Sequence, residues 1–425
     1  MKLFDHVNSV YMQTNQCKEK VLETDGMNGV DRILLEILAN ALFGSESLKI
    51  SETNGSCDWN VLLKEAQLQG VYALVFDYLK EILQEELETK KYNEYSSQYY
   101  RIISHNTNNA YYHRKIHVLL SQKEIPYVII KGQVSGSYYP NPKLRTSGDI
   151  DFLVSKENLE CTGDILEQLG FKKTNDKEHD FHIAYYNGSQ TIEMHWKVGG
   201  IPASKVGDIC KRYFDNIFET EKIYDGMMVP DDFHHGLVLL LHTARHILNT
   251  GIGIKHLCDW AVYASKVDVS EYEQQLRDVG LWRFAQLLTQ VSTCFLGCPQ
   301  REWAMENVDK DLLNDILEDF FVAGEFGVKS PERINEAKLM TTNAQGNVGD
   351  NSFIQLFRML TEKAKKALPI CNQIWLLIPV GWIYVGIRHL IRIDQGRRPP
   401  VHVRHMIEGA DKRREVYKKF GLFQV

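Results

Sequence analysis

The sequence predicts an α+β fold, a small mixed β-sheet core flanked by N- and C-terminal helical regions. Three observations carry this. Strand-like runs are confined to about 125–200. Apolar residues at three- and four-residue spacing fill both flanks. Within the strand-rich stretch, acids alternate with apolar residues, as on a half-buried strand. At 425 residues the chain exceeds one ordinary core, so two or three domains are expected.

Composition narrows the class. An apolar fraction of 44% and a charged fraction of 24% belong to a globular chain and exclude a disordered one. A net charge of -6 argues against a dedicated nucleic-acid binder. The first eight residues, MKLFDHVN, form no apolar run of signal-peptide length, so a cytoplasmic location is expected. The eight cysteines are scattered, with only Cys294 and Cys298 close together, which predicts reduced thiols. The sequons at Asn54 and Asn187 carry no weight in that compartment.

Residues 31–43 and 59–83 read as amphipathic helices, and the polar, Tyr-rich 95–122 reads as one long helix that packs on the strand-rich stretch after it. These make a helical region over 1–122. The texture changes at Tyr127-Val-Ile-Ile-Lys131-Gly132, a β-branched run ending at glycine and predicted as a buried strand. A second strand covers 149–154, a helix covers 157–169 before Gly170, and 181–186 with 191–198 form a hairpin about Asn187-Gly188. The core therefore spans 123–204. Helical periodicity returns over 205–328, a linker or exposed loop is expected over 329–352, and an apolar helix with a basic tail fills 353–425.

Asp149 and Asp151 are two apart on a strand, so both side chains emerge on one face. Two carboxylates ~4 Å apart repel by about 4 kcal/mol at an effective dielectric near 20. A divalent cation resolves this, and oxygen ligands favour Mg²⁺ or Mn²⁺ over zinc. In Thr191-Ile-Glu-Met-His-Trp-Lys-Val, Glu193 and His195 point opposite to Ile192 and Met194. With this strand beside the first, Glu193 becomes a third acid and His195 its hydrogen-bonding neighbour. Three acids on adjacent strands suit two-metal phosphoryl transfer. A lone Asp-x-Asp is more often a solvated strand face. Its context here is the strand end Lys131-Gly132 and a loop, 139–148, that brings Lys143 and Arg145 close to the acids.

The strings VIIKGQVSGSYYPNPKLRTSGDIDFLV and TIEMHWKV resemble the uncharacterised bacterial nucleotidyltransferase family of the DNA polymerase beta-like superfamily. The resemblance implies a nucleotidyltransferase core and transfer of a nucleotidyl group from an NTP, ATP being the first choice. It implies Asp149, Asp151 and Glu193 as metal-binding catalytic acids with Mg²⁺ or Mn²⁺. Lys131, Gly132, Gln133, Ser135, Arg145, Ser147 and Gly148 would lie along the nucleotide. The acceptor, a hydroxyl or phosphate on a small molecule, protein or glycan precursor, is left open. Gly132-Gln133 departs from the Gly-Ser or Gly-Gly of the wider superfamily. That departure supports one alternative, a nucleotide-binding regulator with weakened catalysis; an antitoxin-like module that modifies a protein is a second.

His242, His246, His256 and Asp259, with Arg245 between the first two, could hold a metal through the histidines and the acid, but no adjacent His-Asp pair is present, and structural or substrate-orienting roles are expected instead. His179 and His182 read as exposed strand histidines. The apolar run 374–387 has 14 residues, short of the ~20 that span a membrane, and reads as a buried helix. From 388 to 419 stand ten Lys or Arg against four acids. Peripheral docking on an anionic membrane, as an accessory protein of a surface-polymer or peptide-modification pathway, is the alternative for this end of the chain.

Overall fold

The computed structural model describes residues 28–44, 58–174, 181–304, 309–337, 339, 352–394 and 403–425. His179 and Asn54 lie outside them. Helix α1 (Gly29–Phe43) starts at Asn28, whose side chain caps Asp31 N–H, and ends at the left-handed Gly44. The expected single helix over 59–83 is two, α2 (Trp59–Leu68) and α3 (Tyr72–Glu86). The break falls at Gly70, whose φ is +75° and where a Cβ would lie 2.9 Å from the Glu325 carboxylate. Helix α4 (Thr89–Gln122) is 34 residues long and buries Asn106, Asn109, His113, Ile116 and Leu120 along one stripe.

The sheet comes next. Strand β1 (Tyr127–Ile129) leads into the short helix α5 (Gln133–Ser137), and β2 (Ile150–Val154) into α6 (Leu159–Gln168). Strands β3 (Lys172–Lys173), β4 (His182–Tyr186) and β5 (Thr191–His195) complete five strands in the order β1-β2-β5-β4-β3. Only β2 and β5 run parallel; the other pairs are antiparallel, so the sheet is mixed as expected. Ile150, Phe152, Val154, Ile192 and Met194 face a core shared with Ile116, Leu120 and Leu166. That alternation commits Asp151, Glu193 and His195 to the opposite face.

Helix α7 (Lys205–Tyr213) precedes a hairpin, β6 (Lys222–Tyr224) and β7 (Met227–Val229), within a stretch expected to be helical. Helices α8 (Asp232–Leu248) and α9 (Ile254–Lys266) then pack with α10 (Glu273–Asp278), α11 (Trp282–Leu296) and α12 (Lys310–Ala323) around a second, larger core containing Trp260 and Phe284. The expected linker opens with a docked helix, α13 (Arg333–Ala337), whose buried Arg333 pairs with Asp319 at 2.6 Å. Helices α14 (Ser352–Ala367), α15 (Ile378–Asp394) and α16 (Val403–Phe420) complete the chain.

Two expectations for this end of the chain are corrected. The basic tail is partly interior: Arg413 and Arg414 are buried on α16, donating to the carbonyls of Ile247, Asn249 and Leu339 at 2.9–3.0 Å. The apolar run is not buried. Trp375 is 74% exposed and Leu376 65%, and Val380, Ile383 and Ile387 also stand in solvent. The six described cysteines are free thiols. Among the described residues no helix is long and apolar enough to cross a membrane.

Candidate active site

The parallel pairing of β2 with β5 sets Asp151 directly beside Glu193, and Leu153 beside His195. Asp149 stands just ahead of β2, two residues before Asp151. Lys131, two residues beyond the end of β1, places its ammonium 2.9 Å from Asp151 Oδ1. His195 Nε2 lies 2.9 Å from the same oxygen and 3.3 Å from Glu193 Oε2. His182 of β4 brings Nε2 to 3.7 Å from Glu193 Oε1. Donor atoms of His182, Glu193 and His195 all fall within 4.8 Å of one another, the one such group of three or more among the described residues. His182 is therefore part of the site and buried, not an exposed strand histidine. Its register opposite His195 could have revealed it, because the hairpin alone pairs these two positions.

Charge sorts the two aspartates. Burial would push the Asp151 carboxyl up, but the Lys131 ammonium and the His195 ring hold it well below the ordinary carboxylate range. Asp149 keeps a solvent-exposed edge. Crowding of its carboxyl by protein, then the carboxylates of Glu193 and Asp151, push it up to about 6. Beneath the strand, His113 of α4 is held down to about 4 by burial, against the pull of Asp151. The surroundings thus shift the two aspartates in opposite directions.

The loop between β1 and β2 is gripped from outside. Asn106 donates to the carbonyls of Lys143 and Arg145 at 2.8 Å, and Asn109 to that of Gly148 at 3.0 Å. This explains a polar stripe buried on a long helix: its amides hold an irregular loop whose carbonyls have no strand partner. Gly132 has φ +52°, and a Cβ there would lie 3.3 Å from Ser147 Oγ. Its freedom serves the chain's own turn.

Three residues expected along the nucleotide are turned elsewhere. Arg145 is buried and bidentate with Asp259 of α9, both bonds 2.7 Å, with Tyr139 donating to the same carboxylate. A planar guanidinium so engaged has its charge matched inside the protein, and its carboxylate partner is Asp259 and not Asp149. Gln133 donates to the Asn106 carbonyl at 3.3 Å. Ser135 is 2% exposed, on the buried side of the short helix. Ser147 stays half-exposed and Gly148 exposed beside the acids.

Behind β5, a cavity of about 620 Å³ is lined by Leu153, Phe181, Trp196, Val198, Phe214 and Phe218 among others. It shares Phe181 with the acid site, since that ring stacks on His195 at 5.9 Å.

A five-stranded mixed sheet with flanking helices is the architecture of a nucleotidyltransferase core. Residues 55–297 match the family described as uncharacterised nucleotidyltransferase, and the chain belongs to that family. No curated protein and no solved structure matches the chain.

Proposed function

We propose that the protein transfers a nucleotidyl group from an NTP to an acceptor hydroxyl or phosphate, releasing pyrophosphate. The observation that carries this reading is the register of Asp151 beside Glu193, with Asp149 two residues upstream, in a chain of this family. Asp149, Asp151 and Glu193 are the proposed metal-binding acids. The donor chemistry fits a divalent ion: one carboxylate, Glu193, and two imidazoles, His182 and His195, converge within 4.8 Å, and the buried Nδ1 of His195 has no partner, leaving Nε2 as the nitrogen aimed at the acids. A divalent ion held there supplies charge to the transferring phosphate and acidity to the acceptor hydroxyl. Two imidazoles beside one carboxylate favour Mn²⁺ over Mg²⁺, since nitrogen donors suit the later metals better.

The chain's own groups have separable tasks. Lys131 keeps Asp151 ionised and places a cation at the edge of the nucleotide site. Without an ion, His195 Nε2 holds Asp151 and Glu193 together, and the same nitrogen would turn its lone pair to a bound ion. Asp149 would join Asp151 in holding the ion, with its carboxylate at the solvent-exposed edge of the site. The cavity behind Phe181 has the size of a small-molecule acceptor with an apolar body. ATP remains the first nucleotide to try.

The test is to incubate the full chain with each NTP and Mg²⁺ or Mn²⁺ and follow pyrophosphate release, with candidate acceptors supplied. Asp151→Asn is expected to abolish release. Release that is equal in that variant would refute the assignment, and NTP binding without turnover under all conditions would favour a nucleotide-binding regulator.

A further inference from the structure

With Arg145 matched by Asp259 and Lys131 engaged with Asp151, the wall across from the acids offers a further cation, Arg245. Helix α8 turns His242, Arg245 and His246 toward the acid face, and α9 adds His256. The ring centroids of His242 lie 4.5 Å from His246 and 5.2 Å from His256. Phe326 closes the far side at 5.1 Å from His246. Burial, reinforced by the cations of Lys131, Lys255 and Arg245, keeps all three imidazoles neutral.

Arg245 is half-buried, with its guanidinium 4.8 Å over the Phe181 ring, which in turn stacks on His195. Glu193 is near enough for its charge to act on Arg245. Yet among the described residues no carboxylate comes within ion-pairing distance of it. Its position is built in. A Cβ on Gly199 would lie 2.9 Å from Arg245 Nη1, and one on Gly200 would lie 2.5 Å from the Leu241 carbonyl. Two glycines therefore let the segment after β5 lie against α8 and cage the guanidinium beside the acids.

We propose that Arg245, with His242 and His246 on the same helix, is the polyphosphate-gripping residue of this site, binding the triphosphate of the donor nucleotide. This rests on the nucleotidyl-transfer reading. A guanidinium offers two parallel donors to phosphate oxygens, and neutral histidines add donors without repelling it. A half-desolvated cation with no internal counter-charge is stabilised by an anionic ligand more than a paired one is.

The test is calorimetric titration of the full chain with inorganic tripolyphosphate and with ATP, comparing wild type, Arg245→Gln and Arg245→Lys, each checked by thermal melting. Arg245→Gln is expected to weaken tripolyphosphate binding by about 10- to 100-fold, with Arg245→Lys between the two. Unchanged affinity in a folded Arg245→Gln, or in Arg245→Lys and Arg245→Gln alike, overturns this inference while leaving the transfer reading standing. Wild type that binds neither tripolyphosphate nor any NTP overturns both.

A different observation carries a second inference. Ile370, Ile374, Trp375, Leu376, Val380, Ile383, Tyr384, Ile387 and Ile391 are each at least 42% exposed, within 22 residues. Val380, Ile383, Tyr384, Ile387 and Ile391 repeat at helical spacing along one face of α15. Across 352–391 stand five Lys or Arg and one acid, with Lys366 and Arg388 exposed. A contiguous apolar face this large on a monomer marks a docking surface. Its basic surround, its tryptophan at the tip and its insufficient length to span point to one occupant. We infer that α14 and α15 seat the protein on an anionic lipid surface.

Full-length protein is expected to co-sediment with vesicles of phosphatidylcholine containing phosphatidylglycerol, less so in high salt, and only weakly with phosphatidylcholine alone. Ile383→Glu and Trp375→Ala should each weaken binding by tenfold or more. Wild type left in the supernatant with anionic vesicles refutes the inference. So does a concentration-dependent dimer in ultracentrifugation that Ile383→Glu abolishes, because the face would then pair two copies.

Discussion

The loop ahead of the acid strand and the helical wall across from it each carry an arginine, in opposite circumstances. Arg145 is buried, bidentate with Asp259 and joined there by Tyr139. Arg245 lies half-buried over an aromatic ring with no carboxylate partner among the described residues. The first is a strut: it ties the β1–β2 loop to α9 through a charge pair whose ionised forms hold each other, Asp259 below its ordinary range. The second is a cation kept available. Proximity to the acids along the sequence pointed to Arg145, and three-dimensional charge matching points to Arg245.

The largest effect should come from breaking the strut. Asp259→Ala leaves a buried guanidinium unmatched and is expected to destabilise the fold by about 3–5 kcal/mol in denaturant titration. Arg245→Gln should stay within about 0.5 kcal/mol of wild type in the same measurement. Equal losses in both would erase the distinction between strut and available cation.

Next comes the metal side of the site. Glu193→Gln is expected to weaken Mn²⁺ binding by roughly 10- to 100-fold, followed by the electron paramagnetic resonance of free Mn²⁺. Mg²⁺ should compete poorly, in keeping with the two imidazoles. Strong competition by Mg²⁺ would mean that the nitrogen donors are not ligands.

The smallest effect concerns Asp149. Its folded-state carboxyl titrates near 6, above the ordinary 3.8, so the folded protein binds that proton more tightly than the unfolded chain. The ionised carboxylate therefore costs stability above pH 6, and the cost disappears as pH falls toward 3.8. In metal-free protein at pH 7.5, Asp149→Asn should raise Tm by about 1–2 °C, allowing for the partial exposure of the group. The gain should vanish near pH 4, and a constant gain across this range would mean that the shift has another origin.

Much of the sheet was legible because a two-residue period commits each side chain to a face. The alternation through Asp149–Val154 and Thr191–His195 therefore gave the faces of Asp151, Glu193 and His195 before any pairing was known. The third acid's place needed only that the two strands be neighbours. What escaped was long-range or weakly patterned. Arg145 finds its partner 114 residues away, and no local spacing announces that. The hairpin at 222–229 has three-residue strands, too short for a period to emerge. The break at Gly70 depends on the approach of Glu325. Periodicity also cannot tell a helix face that meets the core from one that meets a foreign surface, which is why the run 374–387 read as buried.

The most direct measurement is calorimetric titration of ATP and the other NTPs into wild type and Asp151→Asn, each with and without Mn²⁺. The account predicts nucleotide binding that requires the metal and falls by about 100-fold or more in Asp151→Asn. Binding indifferent to both the metal and the substitution, or no binding of any NTP, would contradict it.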